Sequence, residues 1–89
     1  MDIKLATINL YIQFMLQQRG ESEATAVQAA EWLQTAGILK DSRHRPGLPL
    51  RELLRSNKIL GQRQEANRRW FIDRVDLLGV EIKQTAMRG

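Results

Sequence analysis

The stretch Thr25-Ala-Val-Gln-Ala-Ala-Glu-Trp-Leu-Gln-Thr-Ala-Gly37 decides how the rest of the chain is read. Thr25 followed three residues later by Gln28 matches a capping box, in which each side chain satisfies an orphan amide of the first helical turn. A helix is therefore expected from near Ala26 to about Ala36, with Gly37 as its left-handed stop. Ala30 and Leu33 would face the core with Trp32 partly buried beside them. The small alanines leave room for another helix to approach closely.

Upstream, Ile3 to Arg19 carries Leu5, Ile8, Ile12, Met15 and Leu16 at helical spacing, with no Gly or Pro before Gly20. Leu10, Tyr11 and Phe14 widen its apolar stripe, so this helix is either covered on two sides within its domain or pairs with another chain. Self-association would run through Ile8, Ile12 and Met15. Gly20 to Ala24 reads as a connection.

Downstream, Lys40 to Leu48 has the Asp, Ser, Arg, Pro and Gly of a loop. A third helix is expected from around Pro49, which is welcome in a first turn. Leu50, Leu53 and Leu54 form its buried face and Arg51 and Arg55 lie together on the solvent side. Asn57 is a plausible end. Leu60 to Gln64 and Arg68 to Asp73 then flank the turn-like Glu65, Ala66 and Asn67, which reads as a two-stranded hairpin. Alternation puts Trp70 and Ile72 on one face and Arg69 and Phe71 on the other. From Arg74 onward Val75, Leu78 and Ile82 fit a short helix, although Val80 and Ile82 also alternate like a strand.

The chain of 89 residues is long enough for one core, so a single domain is expected, with an N-terminal helix and connection (1–24), a central unit (25–73) and a C-terminal segment (74–89). Charged residues at 27% and apolar ones at 43% are ordinary for a folded chain and argue against disorder. Without cysteine, disulfides and thiolate chemistry are excluded. Ile8 to Leu16 is too short to span a bilayer and has no basic leader or cleavage site, so a cytoplasmic protein with no membrane partner is expected.

The net charge of +4 is unevenly placed. Residues 1–39 hold two basic against four acidic side chains, a balance of −2, whereas residues 40–74 hold ten against four, a balance of +6. Eight of those ten are arginines, whose planar fork suits phosphate and guanine. Such a segment is either a solvated charged face or a surface for phosphate.

Sites for chemistry are sparse. His44, between Arg43 and Arg45, is the lone histidine and is expected to be exposed or in contact with phosphate. Asp41, Glu52, Glu65, Asp73 and Asp76 sit among basic neighbours at no spacing that singles out a catalytic pair. Gly61 and Gly79 are isolated, so no phosphate-cradling loop is present. Trp32 and Trp70 would stack on bases or fill the core. No enzyme, metal or cofactor is expected.

Thr25-Ala-Val-Gln-Ala-Ala-Glu-Trp-Leu33, Leu50-Arg-Glu-Leu-Leu-Arg-Ser-Asn-Lys-Ile59 and Arg68-Arg-Trp-Phe-Ile72 together resemble the excisionase and MerR-type winged helix-turn-helix. The likeness runs from Thr25 to Ile72, and departs from the family's tight turn in the dozen residues from Gly37 to Leu48. The resemblance implies a mainly α fold of three to four helices with a small β-hairpin wing. It implies duplex DNA as partner, with Arg51 and Arg55 facing the groove, Lys58 near the backbone, and Arg63, Arg68 and Arg69 on the wing. Arg43 and Arg45 on the basic loop complete the candidate contacts. The function expected is that of a transcriptional regulator or an architectural factor in recombination, with a homodimer through the Ile3 to Arg19 helix compatible with it. The alternative is a protein-interaction module or phage-type inhibitor that grips an acidic protein with the same surface.

Overall fold

A computed structural model describes residues 3–75 of the chain. The elements follow the order α1 (Ile3–Arg19), β1 (Glu23–Thr25), α2 (Ala26–Thr35), α3 (Leu48–Arg55), β2 (Gln62–Gln64) and β3 (Trp70–Asp73). Three helices thus pack with a three-stranded antiparallel sheet of order β1-β3-β2. The expected helix beyond Arg74 lies outside the described residues.

All three helices stop in the same way. An amide two or three residues past the last helical position bonds back to a carbonyl five residues earlier: Glu21 to Leu16 at 3.0 Å, Ile38 to Leu33 at 2.8 Å and Lys58 to Leu53 at 3.1 Å. The residue before each of these donors has positive φ, and is Gly20, Gly37 or Asn57. This is the left-handed cap that helices use to satisfy their last carbonyls. At the start of α2 both halves of the capping box form, with Gln28 N donating to Thr25 Oγ1 at 3.1 Å and Thr25 N to Gln28 Oε1 at 3.0 Å.

The core gathers Ile8, Ile12 and Leu16 of α1, Ala29, Ala30 and Leu33 of α2, Leu50 and Leu54 of α3, and Ile72 of β3. Each buried leucine contributes about 2 kcal/mol by leaving water. Leu53 and Trp32 are half-buried against this cluster, as their helical positions require. Burial of Ile8 and Ile12, at 2% and 0% exposed, corrects their assignment to a self-association face, because they are spent on the chain's own core. On α1 the large apolar side chains left in solvent are Ile3, Leu10 and Phe14.

The sheet holds one strand more than the hairpin read from sequence. Glu23–Thr25, within what reads as a connection, pairs with β3 through Glu23↔Asp73, Ala24↔Ile72 and Thr25↔Phe71. Its three residues carry no strand pattern of their own, and the pairing comes from the partner, whose Trp-Phe-Ile run strongly favours strand. The hairpin arms are also shorter, with Gln62↔Ile72, Arg63↔Phe71 and Gln64↔Trp70 as the register.

Amide side chains on α1 fix the hairpin in place. Asn9 Nδ2 donates to Lys58 O at 3.1 Å and Asn9 Oδ1 accepts from Leu60 N at 2.7 Å. One turn on, Gln13 Nε2 donates to Asp73 O at 3.1 Å and to Leu60 O at 3.4 Å, and its Oε1 accepts from Val75 N at 2.9 Å. Gln62 ties the hairpin to α3, donating to Leu54 O at 2.7 Å.

The loop before α3 folds back on Asp41, whose Oδ1 accepts from Ser42 N and Gly47 N, both at 2.8 Å. Gln34 of α2 accepts from Asp41 N at 3.0 Å, which anchors the loop to the preceding helix. α3 then starts at Leu48 with Pro49 in its first turn.

Gly61 marks the tightest approach. At φ +82 its added Cβ would stand 2.3 Å from Asp73 O and 3.3 Å from Gln13 Nε2. Gly61→Ala is expected to lower stability by about 3 kcal/mol in urea denaturation, from the left-handed backbone and the clash together. A loss below about 1 kcal/mol contradicts this close packing.

Candidate functional site

A concavity lies where the start of α2, the exposed side of α3 and the β2–β3 hairpin meet. Its volume is about 540 Å³. Thr25, Ala26 and Val27 contribute from the cap and first turn of α2, and Arg51 and Arg55 from α3. Gln64, Arg68, Arg69 and Trp70 contribute from the hairpin. Every charge on this lining is positive.

The helical spacing of Arg51 and Arg55 puts both on the face opposite the buried Leu50 and Leu54. Arg51 is steadied by one bond from Nη2 to Pro46 O at 3.2 Å. Arg68 and Arg69 border the same groove from the hairpin, the Arg69 guanidinium at its rim on the Phe71 side, 5.9 Å from that ring's centre. Among the described residues no carboxylate forms an ion pair with any of these four. Grouped cations without counter-charges raise the local potential and attract an anion.

Arg63 has the opposite fate. One residue out of phase with Gln62 and Gln64, it projects from the other face of the sheet. Its guanidinium donates to Asp73 Oδ2 at 3.1 Å, to Glu23 Oε1 at 3.1 Å and to Glu65, with its Cζ 4.9 Å from the centre of the Phe71 ring. The hydrogen bond to Asp73 is the main reason its proton is held more tightly than usual, with Glu65 adding to it. Since Glu23, Arg63 and Asp73 stand on β1, β2 and β3, the cluster spans all three strands.

Of the eight side chains expected from the sequence, the groove therefore unites Arg51, Arg55, Arg68 and Arg69. Arg63 is occupied elsewhere. Arg43 and Arg45 are exposed on the Asp41 loop and Lys58 follows α3, and none of the three lines the groove. Sequence reasoning missed Thr25, Ala26, Val27 and Gln64 as groove residues. The signal for the first three was available in the capping box, because a helix start presents free amides and a partial positive charge.

The tryptophans divide between two places. Trp70 forms part of the groove wall and also packs on the core. Trp32 lies in the seam between α1 and α2, in a smaller hollow with Tyr11 and Met15, and Arg19 stands over its ring at 5.5 Å. Among the described residues no group of His, Asp and Glu is placed to hold a metal, and no helix is long and apolar enough to cross a membrane.

Arg63→Met keeps an aliphatic stem over Phe71 but leaves three carboxylates without their shared cation. A Tm below that of the wild type is expected in thermal melting. An unchanged Tm contradicts a structural role for the cluster.

No protein-family model matches the chain, and no curated protein or solved structure matches it significantly.

Proposed function

We propose that this is a winged helix-turn-helix protein that binds duplex DNA, acting as a regulator of transcription or an architectural factor in recombination. The observation that carries the reading is the convergence of Arg51, Arg55, Arg68 and Arg69, none of them paired with a carboxylate, on one groove without acidic residues. A solvated charged face would intersperse carboxylates among its arginines, as the outer face does around Arg63. The segregation of free from neutralised arginine favours an anionic ligand on the groove side.

The fold supports the same reading. A helix, a short strand, two helices and a hairpin, with the first strand on the far edge of the hairpin's second arm, present α3 and the hairpin turn side by side. In this reading Arg51 and Arg55 approach base edges or phosphates from α3. Arg68 and Arg69 hold the sugar-phosphate backbone, which supplies affinity without sequence information. The first turn of α2 adds backbone amides suited to phosphate. The activity is binding without catalysis, and a cytoplasmic site of action goes with a DNA partner.

The test is a titration of labelled duplex at two salt concentrations. If all four arginines neutralise phosphates, log K falls by about 3.6 per log unit of salt, at about 0.9 per contact. The Arg51→Ala, Arg55→Ala double variant should bind more weakly, with a slope near 1.8. Salt-independent binding untouched by the double substitution overturns the proposal. Preference for an acidic polypeptide over duplex DNA would instead favour the protein-interaction alternative.

A further inference from the structure

The hairpin turn carries a conformational cost that the fold alone does not require. Glu65 and Arg69 pair through Glu65 N to Arg69 O at 2.9 Å, and Arg68 N bonds to Glu65 O at 2.9 Å. The loop is thus Ala66, Asn67 and Arg68, a three-residue connection whose last position is left-handed. Arg68 holds it at φ +65. Glycine is the residue this position favours, because a Cβ is strained there.

Among the described residues no contact of the side chain repays that strain. Among the described residues the Arg68 guanidinium makes no hydrogen bond, ion pair or ring contact, and the residue is exposed. Its backbone carbonyl accepts from Gln64 Nε2 at 3.4 Å, a bond that any residue at this position would offer. Arg69 differs, since its guanidinium lies 5.9 Å from the Phe71 ring. The surroundings of the Arg68 side chain are the groove, with Arg51 and Arg55 on the other wall.

We infer that Arg68 trades stability for binding: it sits in a glycine position so that its guanidinium can close the groove on the phosphodiester backbone of one strand. This rests on the nucleic-acid reading above and adds to it the backbone strain at which Arg68 holds its place. A volume of about 540 Å³ lies in the range of small-ligand clefts, so it admits a strand's backbone and not a duplex in cross-section. The duplex then sits across the mouth with one strand inside. Local strain retained at a binding site, with stability lost to it, is a known way for sequence to record function.

The experiment compares the wild type with Arg68→Gly, Arg68→Asn and Arg68→Lys, using thermal melting and duplex-DNA titration in parallel. Arg68→Gly should raise Tm by about 3–6 °C, since relief of backbone strain acts on a small domain. It should also weaken binding about 5–10-fold at 0.1 M salt and flatten the salt slope by about 0.9, the share of one phosphate contact. Arg68→Asn tolerates the left-handed backbone without the charge and should lose the same affinity. Arg68→Lys should retain most of it. Unchanged affinity in Arg68→Gly, or a Tm that falls, overturns this inference while leaving the DNA-binding reading intact. A wild type that does not bind duplex at low salt overturns both.

Discussion

Gln13 is the buried polar side chain of the described fold, and the placement of the hairpin depends on it. From the middle of α1 it bonds the carbonyls of Leu60 and Asp73 and the amide of Val75, so both ends of the hairpin are held to one helix. With Gly61 against it and Asp73 N bonded to Gly61 O at 2.8 Å, the two strands cannot shift along α1 without stranding buried polar groups. That penalty is steeper than the modest net gain of forming the bonds. A two-stranded hairpin is marginal alone, and here it gains a helix behind it and β1 on its open edge.

The groove inherits its shape from this arrangement. β3 is bonded on one side to β2 and on the other to β1, whose last residue, Thr25, is also the cap of α2. Strand pairing therefore sets the distance from the hairpin turn to the first turn of α2. Leu50 and Leu54 set the third wall by seating α3 on the same core. The strand period then decides the surroundings of Arg63. Arg63 falls on the outer face, where three carboxylates neutralise it, and the groove keeps arginines with none.

Much of this was legible in the sequence where local rules suffice. The Thr25–Gln28 box, the stop at Gly37, Pro49 in the first turn of α3 and the apolar spacing of α1 each act within a few residues, and each has its expected counterpart. The hairpin was legible because Trp70-Phe71-Ile72 carries strong strand preference. β1 was not, since Glu-Ala-Thr becomes a strand only against a distant partner. Asn9 and Gln13 carry no local signal of their role, which depends on backbone groups more than forty residues away. The arginines showed the same limit: Arg51 and Arg55 follow from helical spacing, but the neutralisation of Arg63 depends on the hairpin register that brings Asp73 to it, with Glu23 added by the unseen strand.

If duplex DNA is the ligand, it enters the groove between α2, α3 and the hairpin turn. Backbone amide NMR of the full chain, titrated with a short duplex at low salt, locates that contact residue by residue. Shifts are expected at residues 25–27, 51, 55, 64 and 68–70, with little change at Leu10 and Phe14 on the exposed side of α1. Shifts centred on α1, or none at saturating duplex, would contradict it.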